Sequence, residues 1–328
     1  MVDTNFYITR MQVYNLFGKE NIDWELRQDV NILGGINGSG KSTLLKCGYS
    51  LLHNGFLDAE QTEMAEGIEI EFLNGYKLSW KKEKKESAEY VREEGYEYYG
   101  GLKEIDNEGK ITIQKLQIRD GNNKIAIFKE WKEQIDTYLV NSFEQRILEK
   151  TSLNDKKEEK RKTYLDRLIY EQINQRNSIL ANFFEKPWDI PNAVKTIDKV
   201  RDIYGTLQRF YTSVTVQYNN QFLFECSNGE TIDYSRLSMG EKQLLLVLLM
   251  VYNTLDKPCI FFMDEPDLGM HIDWKSIFIK TIYNINPNMQ IILSTHAPSM
   301  VEGWFDHVKE MEQITKGQKK NATDKQLK

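Results

Sequence analysis

Three observations predict an α/β fold with an antiparallel β layer and a helical insertion added to it. First, Gly35 to Ser42 reads Gly-Ile-Asn-Gly-Ser-Gly-Lys-Ser, set between a short apolar strand and a helix. Second, two later apolar runs, Ile260 to Met263 and Ile291 to Leu293, each end in polar, chemistry-bearing residues. Such runs read as strands of a buried sheet. Third, the period of the apolar residues changes. It suits strands up to about residue 118, is helical from about 128 to 210, and is mixed again after 212.

The loop is the element around which the chain is organised. Its spacing fits the phosphate-binding pattern of a glycine, four residues, then Gly-Lys-Ser/Thr. A loop that wraps its backbone around phosphate oxygens has no room for side chains at its tight points. Gly35, Gly38 and Gly40 remove them. The N–H groups from Asn37 through Ser39 to Ser42 can then turn inward, and the following helix adds the positive end of its dipole. Lys41 is expected to reach the β- and γ-phosphates of a bound nucleotide, Ser42 to bind Mg²⁺, and Thr43 to reach the α-phosphate. Val30 to Leu33 before the loop and Thr43 to Leu52 after it supply the strand–loop–helix setting.

Composition sets the outer bounds. The chain has 328 residues, 40% of them apolar, which is enough for a sizeable core. A net charge of −6 argues against a uniformly basic nucleic-acid binder, though not against a local basic groove. Cys47, Cys226 and Cys259 are far apart and read as reduced core residues. The first residues, Met1 to Asn5, lack a signal-peptide pattern, and the apolar run Leu244 to Val251 is too short to span a bilayer, so a cytoplasmic location is expected, with no membrane partner.

In chain order, Tyr7 to Val13 and Val30 to Leu33 read as paired strands around a turn at Gly18. Ile68 to Phe72 alternates, Asn74-Gly75 signals a hairpin, and Tyr76 to Trp80 follows. Lys81 to Glu94 reads as a solvated loop and Ile111 to Ile118 as a further strand. Trp131, Ile135, Leu139, Phe143 and Ile147 then fall on one helical face, and Leu165, Leu168, Ile169, Ile173, Leu180 and Phe183 on a second. Lys156 to Lys162, between them, is densely charged. The expected division is residues 1–127 for the first part of the head, 128–210 for a helical arm or lid, 211–315 for the second part of the head, and 316–328 for a disordered tail.

Four more motifs follow the loop. Leu237-Ser238-Met239-Gly240-Glu241-Lys242-Gln243 opens an apolar helix, where a hydroxyl, a glycine and a helix N-terminus together suit a γ-phosphate. Ser238 with Glu241 also fits a plain capping box. Ile260-Phe261-Phe262-Met263-Asp264-Glu265-Pro266 ends a strand in two carboxylates and resembles a Walker B element, which implies Asp264 near Mg²⁺ and Glu265 as a general base on the attacking water. Asp267 to His271 follows directly, with His271 read equally as a helix cap. Ile291-Ile292-Leu293-Ser294-Thr295-His296-Ala297-Pro298 brings in His296 at the end of the next strand.

In this order the motifs resemble the phosphate loop, signature, Walker B and switch-histidine elements of an ABC-type P-loop ATPase head. The resemblance covers about residues 1–125 and 212–315. Residues 43–237, between loop and signature, are longer than in transporter subunits and resemble the SMC, RecF and OLD branch, whose arms are inserted there. The wording Asp264 to His271 with Ser294 to Pro298 is closest to ATPases of bacterial phage-defence systems of the Septu and PARIS types. The resemblance implies ATP hydrolysis with Glu265 and His296 catalytic, and a homodimer or higher oligomer closed by an ATP sandwich across Ser238 and Gly240. It also implies control of a separately encoded effector, a nuclease or toxin, because the chain ends soon after His296. Relatives that act directly on nucleic acid, or that serve transporters, are the two other classes it admits. A glutamine loop is expected at Gln114, Gln117 or Gln217, and Phe17 is a candidate for stacking on adenine.

Overall fold

The computed structural model describes residues 6–85, 96–99, 111–141, 163–185, 190–217 and 221–317. Its centre is a parallel sheet. Strands β1 (Ile8–Leu16), β2 (Glu20–Glu25) and β3 (Val30–Gly34) come first, then α1 (Lys41–Asn54) and α2 (Ala59–Met64). Next come β4 (Gly67–Phe72), β5 (Lys77–Lys85), β6 (Glu97–Tyr99), β7 (Ile111–Arg119), β8 (Ile125–Ala126), α3 (Phe128–Lys132) and β9 (Asp136–Asn141). Two long helices follow, α4 (Tyr164–Glu185) and α5 (Ile190–Phe210), and a small antiparallel sheet of β10 (Val214–Val216), β11 (Leu223–Cys226) and β12 (Thr231–Asp233). The chain then runs through α6 (Met239–Asn253), β13 (Cys259–Asp264), α7 (Ile272–Ile285), β14 (Met289–Ser294), β15 (Val308–Glu310), α8 (Met311–Ile314) and β16 (Thr315–Gly317).

The parallel sheet has the order β15-β3-β14-β13-β9. β13 and β14 are buried along their whole length, as central parallel strands with both faces covered must be. Alternate residues of β13 feed two cores. Ile260 and Phe262 join α1 and the antiparallel sheet, with Leu44, Leu45, Trp24 and Trp80. Phe261 and Met263 join the helical side, with Leu244, Leu248 and Phe278. The antiparallel sheet has the order β16-β2-β1-β4-β5-β7-β6, with β8 added to β7.

Several local expectations are corrected. β1 pairs with β2, whose Ile22 and Trp24 face inward, while β3 leaves for the parallel sheet. Lys81 to Lys85 is strand and not loop: β5 runs on in register with β7 through Lys85↔Ile111. Glu83 pairs with Lys81 and Lys115 there, so charge does not break the strand. The helical face drawn through Trp131, Ile135 and Leu139 is not one helix. α3 ends at Lys132, and Leu139 lies in β9, which pairs along its length with β13. A spacing of four is even, so Ile135 and Leu139 share a face at period two as well as at period 3.6. Residues 136–141 thus belong to the central parallel sheet and not to a helical stretch. Phe143, Ile147, Lys156 to Lys162 and the tail from residue 318 lie outside the described residues.

The two long helices are not detached from the head. Leu165, Ile169 and Ile173 of α4 and Ile203, Leu207 and Phe210 of α5 are buried in the same core as α6. Asp166 of α4 and Lys242 of α6 form an ion pair at 2.7 Å, with side chains 3% and 8% exposed. The Tyr211 hydroxyl, just past α5, donates to the Glu241 carbonyl at 2.5 Å. Breaking a buried pair leaves a charge without its counterion. Asp166→Ala should lower stability in urea denaturation by about 3–5 kcal/mol, and adding Lys242→Met should recover most of that. If the double variant is no more stable than the single one, the pair is not what holds α4 to α6.

Candidate functional site

The site lies at the C-terminal ends of the parallel strands, where an open α/β sheet places its ligands. α1 begins with Gly40 as its N-cap, in the left-handed region at φ 94°, with no side chain capping its free N–H groups. No acidic residue stands in its first turn. The orphan donors and the dipole of the helix are thus left facing a cavity of about 560 Å³. Its lining is Phe17, Asn37, Gly38, Gly40, Lys41, Ser42, Thr43, Glu265 and His296. Gly40 has a second reason to be glycine: a Cβ there would stand 2.8 Å from the Phe17 ring.

Lys41 is 5% exposed and bends back to donate to the carbonyls of Gly35 and Ile36, each at 2.9 Å. Burial pushes its pKa down, and Glu265, Asp264, Glu310 and Glu312 oppose that shift. An arriving polyphosphate would replace carbonyl dipoles with full negative charge and favour the ammonium further.

The register of β13 and β14 sets Asp264 opposite Ser294. Asp264 Oδ1 accepts from the hydroxyls of Ser42 at 2.8 Å and Ser294 at 2.6 Å. Its other oxygen, Oδ2, is buried with no hydrogen-bond partner among the described residues. A buried carboxylate oxygen left without a donor, next to the hydroxyl of a phosphate loop, fits a hard divalent cation such as Mg²⁺. Glu265 follows with φ 47°, a left-handed backbone that few non-glycine residues adopt. This turn carries its carboxylate to 3.5 Å from His296 Nε2.

The neighbouring loop is tied to the same strands. Asp267 accepts from the Thr295 hydroxyl at 2.8 Å and from Lys275 at 2.9 Å. His271 is the N-cap of α7, its Nδ1 accepting from the Asp273 N–H at 3.4 Å, which is the cap reading of this residue. Ser238 caps α6 in a full capping box with Glu241. Ser238 and Gly240 do not line the cavity. Gly240 is pressed instead against the 267–271 loop, where a Cβ would come 2.1 Å from the Gly269 carbonyl.

The structure therefore gathers Asn37, Gly38, Gly40, Lys41, Ser42, Thr43, Glu265 and His296 around one cavity, with Asp264 beneath them. Gly35 and Ser39 complete the loop, and Gly35 also borders a second cavity behind it with Glu310 and Thr295. None of the glutamine candidates lines the cavity. The Gln114 amide grips the backbone of Leu57 and the Trp80 indole, and Gln117 accepts from Arg119. The residue that stands beside Asp264 on its other side is Asn141, at the end of β9. The helical spacing expected of that segment conceals Asn141, which only the pairing of β9 with β13 brings beside Asp264. The sequence pattern likewise assigns no role to Ser294, although the strand pairing of the two motifs points to it.

A glycine-rich loop joined to a parallel, carboxylate-bearing strand and flanked by an antiparallel sheet defines a P-loop nucleotide-binding head. The chain belongs to the family described as "AAA domain, putative AbiEii toxin, Type IV TA system", whose model matches residues 30–302. It is 27% identical over 198 residues to the Retron Vc95 probable ATPase of Vibrio cholerae serotype O1 biovar El Tor, covering 55% of this chain and 36% of that protein. It is 26% identical over 132 residues to the Septu protein PtuA of Bacillus thuringiensis, covering 34% of this chain and 33% of that protein. The chain thus spans about a third of the length of these curated relatives. In fold it is similar to an Smc head solved bound to the C-winged helix domain of ScpA, with a TM-score of 0.55 at 13% identity over 95% of this chain and 97% of that one. Among the described residues no helix is long and apolar enough to cross a membrane.

The packing of Gly240 can be tested against another helical glycine. Gly240→Ala should cost about 1–3 kcal/mol in chemical denaturation, since backbone and not a flexible side chain must move. Gly205→Ala, in α5 with open space around it, should instead gain up to about 1 kcal/mol from helix propensity. A stability gain at both positions would rule out the packing role of Gly240.

Proposed function

We propose that this protein is an ATP-binding and ATP-hydrolysing switch that closes into a head-to-tail dimer on ATP and controls a partner protein in defence against phage. One observation carries the reading. Lys41, Ser42, Glu265 and His296 meet at one cavity, whereas Ser238 and Gly240 of the same chain lie outside it. A helix N-terminus with a hydroxyl is an anion site, and here a second copy is the natural source of the anion. Ser238 accepts from Glu241 N–H and keeps its own hydroxyl proton to donate to a γ-phosphate. Met239, Leu268 and Ile272, beside that site, are apolar and exposed, as residues awaiting a partner surface are.

In this mechanism the phosphate-loop N–H groups and Lys41 hold the β- and γ-phosphates. Mg²⁺, held by Ser42 and Asp264, would screen phosphate charge and orient the leaving group. Glu265 takes a proton from the attacking water, and His296 hydrogen-bonds the γ-phosphate across the same cavity. Phe17 lies on Gly40 at the cavity wall and offers its ring to adenine. ATP acts as interface glue, so hydrolysis releases the dimer and times the partner's action. The long helices α4 and α5 serve contact with that partner or self-association.

The similarity to a retron probable ATPase and to a Septu protein supports the defence reading. Direct action on nucleic acid is less favoured by the surface. On the exposed part of the antiparallel sheet Lys77 pairs with Glu69 and Glu71, and Lys81 pairs with Glu83, so these lysines are neutralised in place.

Two measurements test the reading. Lys41→Ala removes a charged contact worth about 1.5–3 kcal/mol, so ATP affinity by calorimetry should fall at least about tenfold. Unchanged affinity would refute the phosphate-loop role. Glu265→Gln keeps shape and hydrogen bonding but removes the base. It should bind ATP, turn over poorly and double in mass by light scattering when ATP and Mg²⁺ are added, and adding Ser238→Arg should abolish that doubling. A mass that does not respond to ATP would exclude the sandwich.

A further inference from the structure

We infer that Ser294 is a positioning residue for both carboxylates of the site, fixing Asp264 through its hydroxyl proton and Glu265 through its oxygen. The inference rests on the ATPase reading above and adds a residue to it. Ser294 and Asp264 are both fully buried and sit opposite one another in the pairing of β13 with β14. The Ser294 hydroxyl donates to Asp264 Oδ1 at 2.6 Å. Its oxygen in turn accepts from the Glu265 N–H at 3.2 Å, and the Ser294 carbonyl shares that N–H at 3.1 Å. One side chain thus spans the two residues that the chemistry needs.

Each contact has a distinct effect. Asp264 Oδ1 already receives the Ser42 hydroxyl, so Ser294 supplies its second donor and fills its two lone pairs. Oδ2 is then the oxygen left to meet a cation or its water. Without Ser294 the carboxylate is free to rotate and to present either oxygen. The second contact bears on the left-handed backbone of Glu265, a conformation that persists only when its surroundings over-determine it. That turn aims the carboxylate at His296, so loosening it moves the base off the water.

The test uses the full chain, with Ser294→Ala, which deletes both contacts, and Ser294→Cys, which keeps the size and a weak donor. Three quantities are read: the kcat and the KM for ATP, and the affinity for Mn²⁺ in the presence of ADP, from free Mn²⁺ by electron paramagnetic resonance. Ser294→Ala should hold the KM for ATP within about twofold while kcat falls roughly tenfold to hundredfold. Mn²⁺ affinity should fall roughly tenfold, with Ser294→Cys between the two. Glu265→Gln, run alongside, should lose kcat and keep Mn²⁺ affinity, which separates the general base from the residue that positions it. If the wild type binds ADP but hydrolyses no ATP, the hydrolysis reading falls and the Mn²⁺ affinity of the variants still decides Ser294. If it binds no nucleotide, both readings fall. Should Ser294→Ala fail to fold, Ser294→Cys decides alone. Wild-type kcat and Mn²⁺ affinity in a folded variant, or parallel losses in KM and kcat that track a lowered Tm, would overturn the inference.

Discussion

The parallel pairing of β13 with β14 is the constraint on which the rest depends. It runs in unbroken register from Cys259↔Met289 to Asp264↔Ser294. Because the two strands are parallel, both motifs end at the same edge of the sheet. Because side chains alternate, Asp264 and Ser294 point to the same face. β3 pairs on the far side of β14 and delivers the phosphate loop to that edge. A slip of one residue would send Asp264 to the opposite face and remove its contact with Ser42.

That register is secured far from the chemistry. Buried amides hold the opposite ends of the strands. Gln290 donates to the carbonyls of Ile8 and Arg27 and accepts from the Ile8 N–H, tying β14 to β1. Asn286 donates to Thr254 and to the Lys257 carbonyl, fixing the turns before β13 and β14. Asn31 binds Arg27 and the Ile291 carbonyl. Polar groups this deep are costly unless satisfied, and satisfied ones permit a single alignment where apolar side chains would tolerate several.

The parts of the site that are continuous in sequence were legible there. The phosphate loop, the strand with Asp264 and Glu265, and the strand with His296 each carry their own pattern of apolar run and polar end. What was not legible is what depends on two segments meeting. Ser294 acquires its partner only when β13 and β14 align. Gly240 reads as part of an anion cradle, and its contact with Gly269 appears only when α6 crosses the following loop. Leu139 was misread because its spacing from Ile135 satisfies both periods, and only pairing with β13 decides between them. The charged run Lys81 to Lys85 was misread because local composition does not reveal the ion pair of Lys115 with Glu83.

The grip of α4 and α5 on the first turn of α6 has a mechanical consequence. Asp166 holds Lys242 from one side, and Tyr211 holds the Glu241 carbonyl from another, within one turn of Ser238. Both contacts are short, and the ion pair is buried. Moving the long helices relative to the start of α6 therefore requires breaking these bonds. Displacing the helices means displacing the first turn of α6 with them or rupturing a buried charge pair.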